Sequence, residues 1–401
     1  MSVVKIEKLQ DVVRDYVRGT VLSQQTVRLT APGENYGSVL LKLDIKVRDG
    51  DKEEEIHAVA KCVPPNKSIR EIFNTKATFP NEIAWYTTII PTMIKFQRDN
   101  GVEDVIDCFP KFYGARTSLD PEETIDEHGL ILLENLAETG YRNENRYVGF
   151  DLSTSQSIIK NLAAFHSIPI AIKLRNLELF ETNIKKFLYG FENVGQVEPE
   201  VKQIFEAPLR VMEEITELAH LIPRVKKGMA VNAFVISDVR EPWATTLHHD
   251  FWMNNIMVKP GDPPKSAIID LQTTVYGSFA TDLVFFLMTS VEISVAEQHL
   301  GNLIDTYYEE FIRNLRQLKV DTEIFNREAF MKELNVAAAG QLPHCIFFAV
   351  VMCAEKKNAQ DTTTEEYNHM KNLKEMSGED TVRHRRRYRF IVEQFAKRNW
   401  I

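Results

Sequence analysis

The stretch Leu247-His248-His249-Asp250-Phe251-Trp252-Met253-Asn254-Asn255, followed by Ile268-Ile269-Asp270, decides how this chain reads. It supplies a carboxylate at Asp250, an amide at Asn255 and a second carboxylate at Asp270. Between the last two lie the apolar runs Ile256-Met257-Val258 and Ala267-Ile268-Ile269, separated by Pro260-Gly261-Asp262-Pro263-Pro264. A turn-rich break between strand-like runs predicts an antiparallel hairpin. The residue before its first strand then lies beside the residue after its second. Asn255 and Asp270 should therefore meet, with Asp250 on the loop just ahead of them. A carboxylate base beside an Asn/Asp pair is the arrangement that phosphoryl transfer uses, one group for the hydroxyl and two oxygen ligands for Mg²⁺.

The rest of the chain gives this loop a plausible frame. At 401 residues it is long enough for two lobes, each with its own core. Hydrophobic residues at 44% and charged ones at 26% fit an ordinary globular protein. A net charge of -9 gives no electrostatic reason to bind nucleic acid or an anionic membrane. The N-terminus, Met1 to Lys8, is charged where a secretory signal needs an apolar run. Cys345 to Cys353 is too short to span a bilayer and reads as a buried helix. Cys62, Cys108, Cys345 and Cys353 show no metal-ligand spacing, and a reducing cytoplasm is the plain expectation. Nothing in the sequence calls for an obligate protein partner.

Residues 4–18 have helical periodicity. A β-rich region follows. Ser38 to Val47 and Glu55 to Val63 read as strands joined at Asp49-Gly50-Asp51, the second stopped by Pro64-Pro65. A helix is expected from about Pro80 to Ile89, then strands near Lys111-Phe112-Tyr113 and Gly129 to Leu133. From about Asp151 the pattern turns helical, over Leu152–His166, Val201–Ala219, Ala280–Val291, Ala296–Leu318, Arg327–Ala338 and Thr381–Lys397. The architecture expected is α+β and bilobal, a small β-rich lobe over 1–136 and a large, mainly helical lobe over 137–401. Ligand sites favour such clefts.

Three further pieces would complete a nucleotide site. Gly33-Glu34-Asn35-Tyr36-Gly37-Ser38, just before the long strand, could close its backbone amides over phosphates. Lys61, flanked by apolar residues on the return strand, needs phosphate oxygens or a carboxylate for its ammonium. Glu82, in the following helix, could pair with it, with Glu71 a weaker competitor. Each has a plainer reading: an ordinary loop, an edge lysine facing water, a first-turn glutamate favoured by the helix dipole. His248 is expected to brace the Asp250 loop. Asp282 is expected to cap its helix or bond back to that loop. The run Arg383 to Arg387 reads as a solvated helix face.

Taken in order, these pieces resemble a known family. Gly33-Glu34-Asn35-Tyr36, Lys61, Phe79-Pro80-Asn81-Glu82, Leu132-Leu133-Glu134-Asn135-Leu136 and Leu162-Ala163-Ala164-Phe165-His166 come first. Asp250 to Met257, Ile269-Asp270-Leu271-Gln272, Tyr276-Gly277-Ser278 and Ala280-Thr281-Asp282-Leu283 follow. Over nearly its whole length the chain resembles the ecdysteroid-kinase-like (CHK-type) proteins of arthropods, relatives of choline and aminoglycoside kinases in the protein-kinase-like fold. The resemblance implies ATP-dependent phosphorylation of a small-molecule alcohol, with ecdysteroids the namesake acceptors. It implies Asp250 as catalytic base, Asn255 and Asp270 as Mg²⁺ ligands, and Lys61 on the α/β-phosphates with Glu82 orienting it. Gly33, Asn35, Tyr36, Gly37 and Ser38 would cover the phosphates, and Glu134, Asn135 and Leu136 would hold adenine through backbone groups. The sequence departs from the family pattern at His249, where glycine is usual, and at Leu271 in place of phenylalanine. A histidine there carries strain if the position needs positive φ.

Two rivals remain at this stage. A pseudokinase that binds a hormone or small ligand with weak or no turnover would keep the same fold. A protein kinase is disfavoured because Asp270 is followed by Leu-Gln and no Ala-Pro-Glu sequence occurs.

Overall fold

The computed structural model describes residues 5–29, 38–188, 199–230, 239–355 and 369–401. After a short helix α1 (Leu9–Val13) come strands β1 (Thr20–Arg28), β2 (Val39–Asp49) and β3 (Lys52–Cys62). Two-residue turns between antiparallel strands need positive φ. Gly50 supplies it at φ 61, and Asp49 pairs directly with Lys52 across the turn. Helices α2 (Lys67–Ile72), α3 (Thr75–Ala84) and α4 (Ile90–Asp99) follow, then β4 (Phe112–Arg116) and β5 (Leu130–Glu134). The five strands form one sheet in the order β1-β2-β3-β5-β4.

Alternation along the strands gives this sheet two unlike faces. Leu41, Leu43 and Ile45 of β2, Ala58 and Ala60 of β3, and Leu130 and Leu132 of β5 are buried together under Leu9, Val12 and Val13 of α1. Helix and sheet touch closely at Gly114, where φ is 137 and a Cβ would lie 2.0 Å from the Val12 carbonyl oxygen. The opposite face carries Val59 and Lys61 and looks toward the rest of the molecule. The N-terminal helix is shorter than its periodicity over 4–18 suggests, because Lys8 takes a left-handed conformation and starts it late.

The helix expected over about Pro80 to Ile89 begins at Thr75 instead. It runs through a π-helical turn, Trp85–Ile89, directly into α4. Burial of Thr75, Thr78, Phe79 and Glu82 outweighs the hydrogen bond lost at Pro80.

The helical part opens with α5 (Leu152–Arg175), 24 residues long and mostly buried. Next are α6 (Leu177–Asn183), α7 (Pro199–Glu213), α8 (Ile222–Met229) and strand β6 (Ala244–Leu247). The expected hairpin is β7 (Ile256–Lys259) with β8 (Lys265–Ile268), antiparallel with Ile256 opposite Ile268. Strand β9 (Val275–Ser278) returns beside β6. Helices α9 (Ala280–Thr289), α10 (Ile293–Gln317), α11 (Arg327–Ala338), α12 (Leu342–Cys353), α13 (His369–Ser377) and α14 (Val382–Lys397) complete the chain. One core joins them, and α9 is buried at every position.

The arginine run on α14 departs from the expected solvated face. His384 and Arg387 point inward, at 0% and 4% exposure. The Arg387 guanidinium donates to the Met288 and Val291 carbonyls at the end of α9, at 3.1 and 3.3 Å. It therefore caps a helix terminus. Among the described residues no single helix is long and apolar enough to cross a membrane.

Candidate active site

Asp250, Asn255 and Asp270 come together as the hairpin requires. The Ile269 amide donates to the Asn255 carbonyl at 3.0 Å, which sets the start of β7 beside the residue preceding Asp270. The Asn255 side-chain amide donates to the Asp250 Oδ2 at 2.7 Å and to the Asp250 carbonyl at 2.9 Å. The amide nitrogen thus fixes Asp250, leaving the amide oxygen to face elsewhere. Asp250 Oδ1 is buried with no hydrogen-bond partner. Burial, reinforced by the charge of Asp270 and opposed by the Asn255 hydrogen bond, raises the Asp250 carboxyl to about 8.

Lys61 projects from the inner face of β3 into the same place. Its ammonium lies 2.5 Å from Glu82 Oε2 and 2.8 Å from Asp270 Oδ1. Glu71, the weaker competitor, is displaced by Glu82, which is fully buried on α3. Burial disfavours the ammonium, yet Asp270 and Glu82 outweigh it and hold Lys61 above the usual lysine value. Burial in turn raises the Glu82 carboxyl against the pull of Lys61. Two carboxyl groups thus share one ammonium, a setting that suits a further cation.

The loop is braced from below by Asp282, which bonds back to it as one of the two expected roles. Its carboxylate accepts the backbone amides of His248 and His249 at 2.6 and 2.9 Å. His166 Nε2 lies 3.1 Å from the same carboxylate, and His166 Nδ1 lies 2.8 Å from the Tyr307 hydroxyl. These interactions keep Asp282 below the usual carboxylate range although burial, the largest influence, acts the other way. The His248 ring also serves as a brace, its Nε2 donating to the Ile269 carbonyl at 2.9 Å. His166 and Tyr307 went unassigned in the sequence, although His166 closes one of its motifs.

His249 does occupy positive φ, at 67, and Asp270 does too, at 64. The imidazole of His249 stacks on His344 of α12 with centroids 5.8 Å apart. His344 in turn stacks on Phe285 at 4.3 Å, and burial, followed by His249, lowers it to about 3. Phe348 packs against both His344 and Phe285, at 5.1 and 4.7 Å, and extends this cluster edge-on to Trp252 at 5.4 Å and to Phe347 at 5.5 Å.

Ser38 is buried just before β2. Gly33, Asn35, Tyr36 and Gly37 lie outside the described residues. After β5, the Glu134 amide donates to the Lys111 carbonyl at 2.8 Å and the Asn135 amide to the His57 carbonyl at 3.0 Å. The Asn135 side chain accepts from the Ala137 amide and starts the 3₁₀ turn at Leu136.

The sequence profile of the ecdysteroid kinase-like family matches residues 32–320. The chain belongs to the ecdysteroid kinase-like family. None of the curated proteins matches it by sequence. Its structure is similar to that of a choline kinase from Cryptosporidium parvum Iowa II, with 8% identity and a TM-score of 0.41, covering 99% of this chain and 94% of that one. A Plasmodium vivax ethanolamine kinase gives 12% identity and a TM-score of 0.37, over 88% of this chain and 80% of that one. A streptomycin–ATP–APH(2'')-IIa ternary complex gives 10% and 0.37, over 88% and 90%.

Proposed function

We propose that this member of the ecdysteroid kinase-like family is an ATP-dependent O-kinase that transfers the γ-phosphate to an alcohol of a small molecule. The observation that carries the reading is the meeting of Lys61, Asp250, Asn255 and Asp270 in one cluster. Asp250 is the base. Its unpartnered Oδ1 is the atom assigned to the acceptor hydroxyl, and Asn255 holds the other oxygen away from it. Burial and the neighbouring Asp270 raise the Asp250 carboxyl, so that once ionised it is a stronger base than an ordinary carboxylate. Lys61, held by Glu82, is assigned to the α/β-phosphates, and Ser38 with Gly33, Asn35, Tyr36 and Gly37 to the phosphate cover.

The Asn255 amide oxygen and the Asp270 carboxylate form an all-oxygen donor set, which suits a hard cation such as Mg²⁺. Bound there, Mg²⁺ would neutralise charge developing on the transferring phosphoryl group. In the hinge the Glu134 and Asn135 amides already have partners, so the Leu136 amide is assigned to adenine. The division into an ATP-binding lobe over 1–136 and an acceptor-binding lobe over 137–401 follows from this placement, and a cytoplasmic setting supplies the nucleotide. Half-buried Phe348 packs on Trp252, two residues from Asp250, and half-buried Phe347 packs on Phe348. They support a lipophilic acceptor, with ecdysteroid alcohols the first class to try.

The test is transfer of label from γ-labelled ATP to ecdysteroids and other lipophilic alcohols. The wild-type chain is expected to label at least one class, and Asp270→Asn to lose transfer by about a hundredfold or more. Full transfer by Asp270→Asn would sink the assignment.

A further inference from the structure

Helix α3 carries Glu82, and the loop after β8 carries Asp270, yet Lys61 must meet both. Something has to fix the helix against the loop, and the structure shows a specific device for it. Asn81, adjacent to Glu82, donates its side-chain amide toward the Gln272 carbonyl, the Thr274 carbonyl and the Thr274 hydroxyl at 3.3, 3.4 and 3.3 Å. Trp85, one turn further on, donates its indole N–H to the same hydroxyl at 2.6 Å. The Thr274 hydroxyl completes the set by donating to the Leu271 carbonyl at 3.3 Å. Trp85 and Thr274 are fully buried and Asn81 nearly so, at 6% exposure. Water therefore offers no easy substitute for these bonds.

The local backbone is built around this contact. Trp85 begins the π-helical turn that links α3 to α4, and single π turns mark functional positions in helices. Its ring stacks on Phe165 at 5.0 Å with planes 12° apart, and Phe165 precedes the His166 that braces Asp282. One helical turn thus presents Glu82 to β3 while Asn81 and Trp85 grip the segment behind Asp270.

We propose that Thr274 is a positioning residue: through Asn81 and Trp85 its hydroxyl fixes α3 to the Asp270 loop, so that Lys61, Glu82 and Asp270 are assembled before nucleotide binds. The proposal rests on the kinase reading of the site. It makes α3 a fixed element rather than one that swings in when nucleotide arrives.

The test uses the full chain without nucleotide, followed by amide hydrogen exchange, with Mg²⁺–ATP added in a parallel thermal-shift series. Thr274→Val removes the hydroxyl at nearly constant volume. Exchange should speed up by about tenfold in Thr75–Ala84 and in residues 271–274 together. Thr274→Ser should restore the slow rates. The double variant Trp85→Phe/Thr274→Val leaves no indole N–H unpaired. It should melt below the wild type, because the smaller ring leaves a cavity beside Phe165, while keeping the fast exchange and a reduced Mg²⁺–ATP shift.

Unchanged exchange in Thr274→Val overturns the proposal, and the kinase reading survives if wild type still gains stability from Mg²⁺–ATP. Recovery of slow exchange in the double variant also overturns it, since the hydroxyl would then merely satisfy the indole. Absence of any Mg²⁺–ATP shift in wild type overturns the kinase reading and this proposal with it.

Discussion

The Asp250 carboxyl is set by opposed influences, burial with the charge of Asp270 raising it and the Asn255 hydrogen bond restraining it. The constellation was legible because hairpin geometry follows from turn chemistry, and Pro260 to Pro264 reads as a reversal. His249 was legible as an irregularity and no further. Its φ of 67 bears out the concern about strain, but its contact with His344, some ninety positions away, has no sequence signal. A non-glycine residue at such φ costs about 1 kcal/mol. His249→Gly should therefore trade relief of that strain against loss of the stack. The variant is expected to melt within a few degrees of wild type and to keep turnover within about threefold. A drop of a hundredfold in turnover would show that the imidazole takes part in the reaction.

At the scale of elements, the β2–β3 hairpin, the β7–β8 hairpin and most helices were written in local pattern. Helix α3 was not, because tertiary burial carried it past Pro80 and because nothing local signals a π turn. Asn81, Trp85 and Thr274 were missed for the same reason: their hydrogen bonds cross about 190 positions.

The loop joining β4 to β5 offers a pH test of its own. Asp126, 5% exposed, accepts from the Ser118 hydroxyl and the Leu119 and His128 amides at 2.8 Å, and from the Asp120 amide at 3.2 Å. Burial would raise its carboxyl, but these four donors together lower it to about 2. A carboxyl lowered on folding adds stability above its unfolded value near pH 4. That contribution is lost as pH falls toward 2. Asp126→Asn should therefore destabilise the protein by about 1–2 kcal/mol at pH 7 and by much less at pH 2.5. Melting curves at the two pH values check this, and an equal loss at both would contradict it.

For the whole molecule, α+β class and two lobes were legible from the switch between β-rich and helical pattern near Asp151. The packing that joins the lobes was not. Lys61 and Glu82 belong to the sheet and its helix, Asp270 to the helical part, and the three meet with Lys61 6% and Glu82 0% exposed. Lys61→Met would leave two carboxylates facing each other without a cation. It is expected to cost about 3 kcal/mol, and adding Glu82→Gln should recover most of it, as read from denaturant midpoints. No recovery would mean that Lys61 stabilises by packing alone.

In the proposed reading phosphate and a metal ion complete these three residues, and Asp250 is the group that acts on the acceptor. The most direct measurement is ATP turnover with lipophilic alcohol acceptors by wild type and Asp250→Asn, with the Mg²⁺–ATP thermal shift followed in both. Wild type should turn over, Asp250→Asn should lose about a hundredfold or more, and both should be stabilised by Mg²⁺–ATP. An Asp250→Asn variant that turns over within tenfold of wild type would contradict the account.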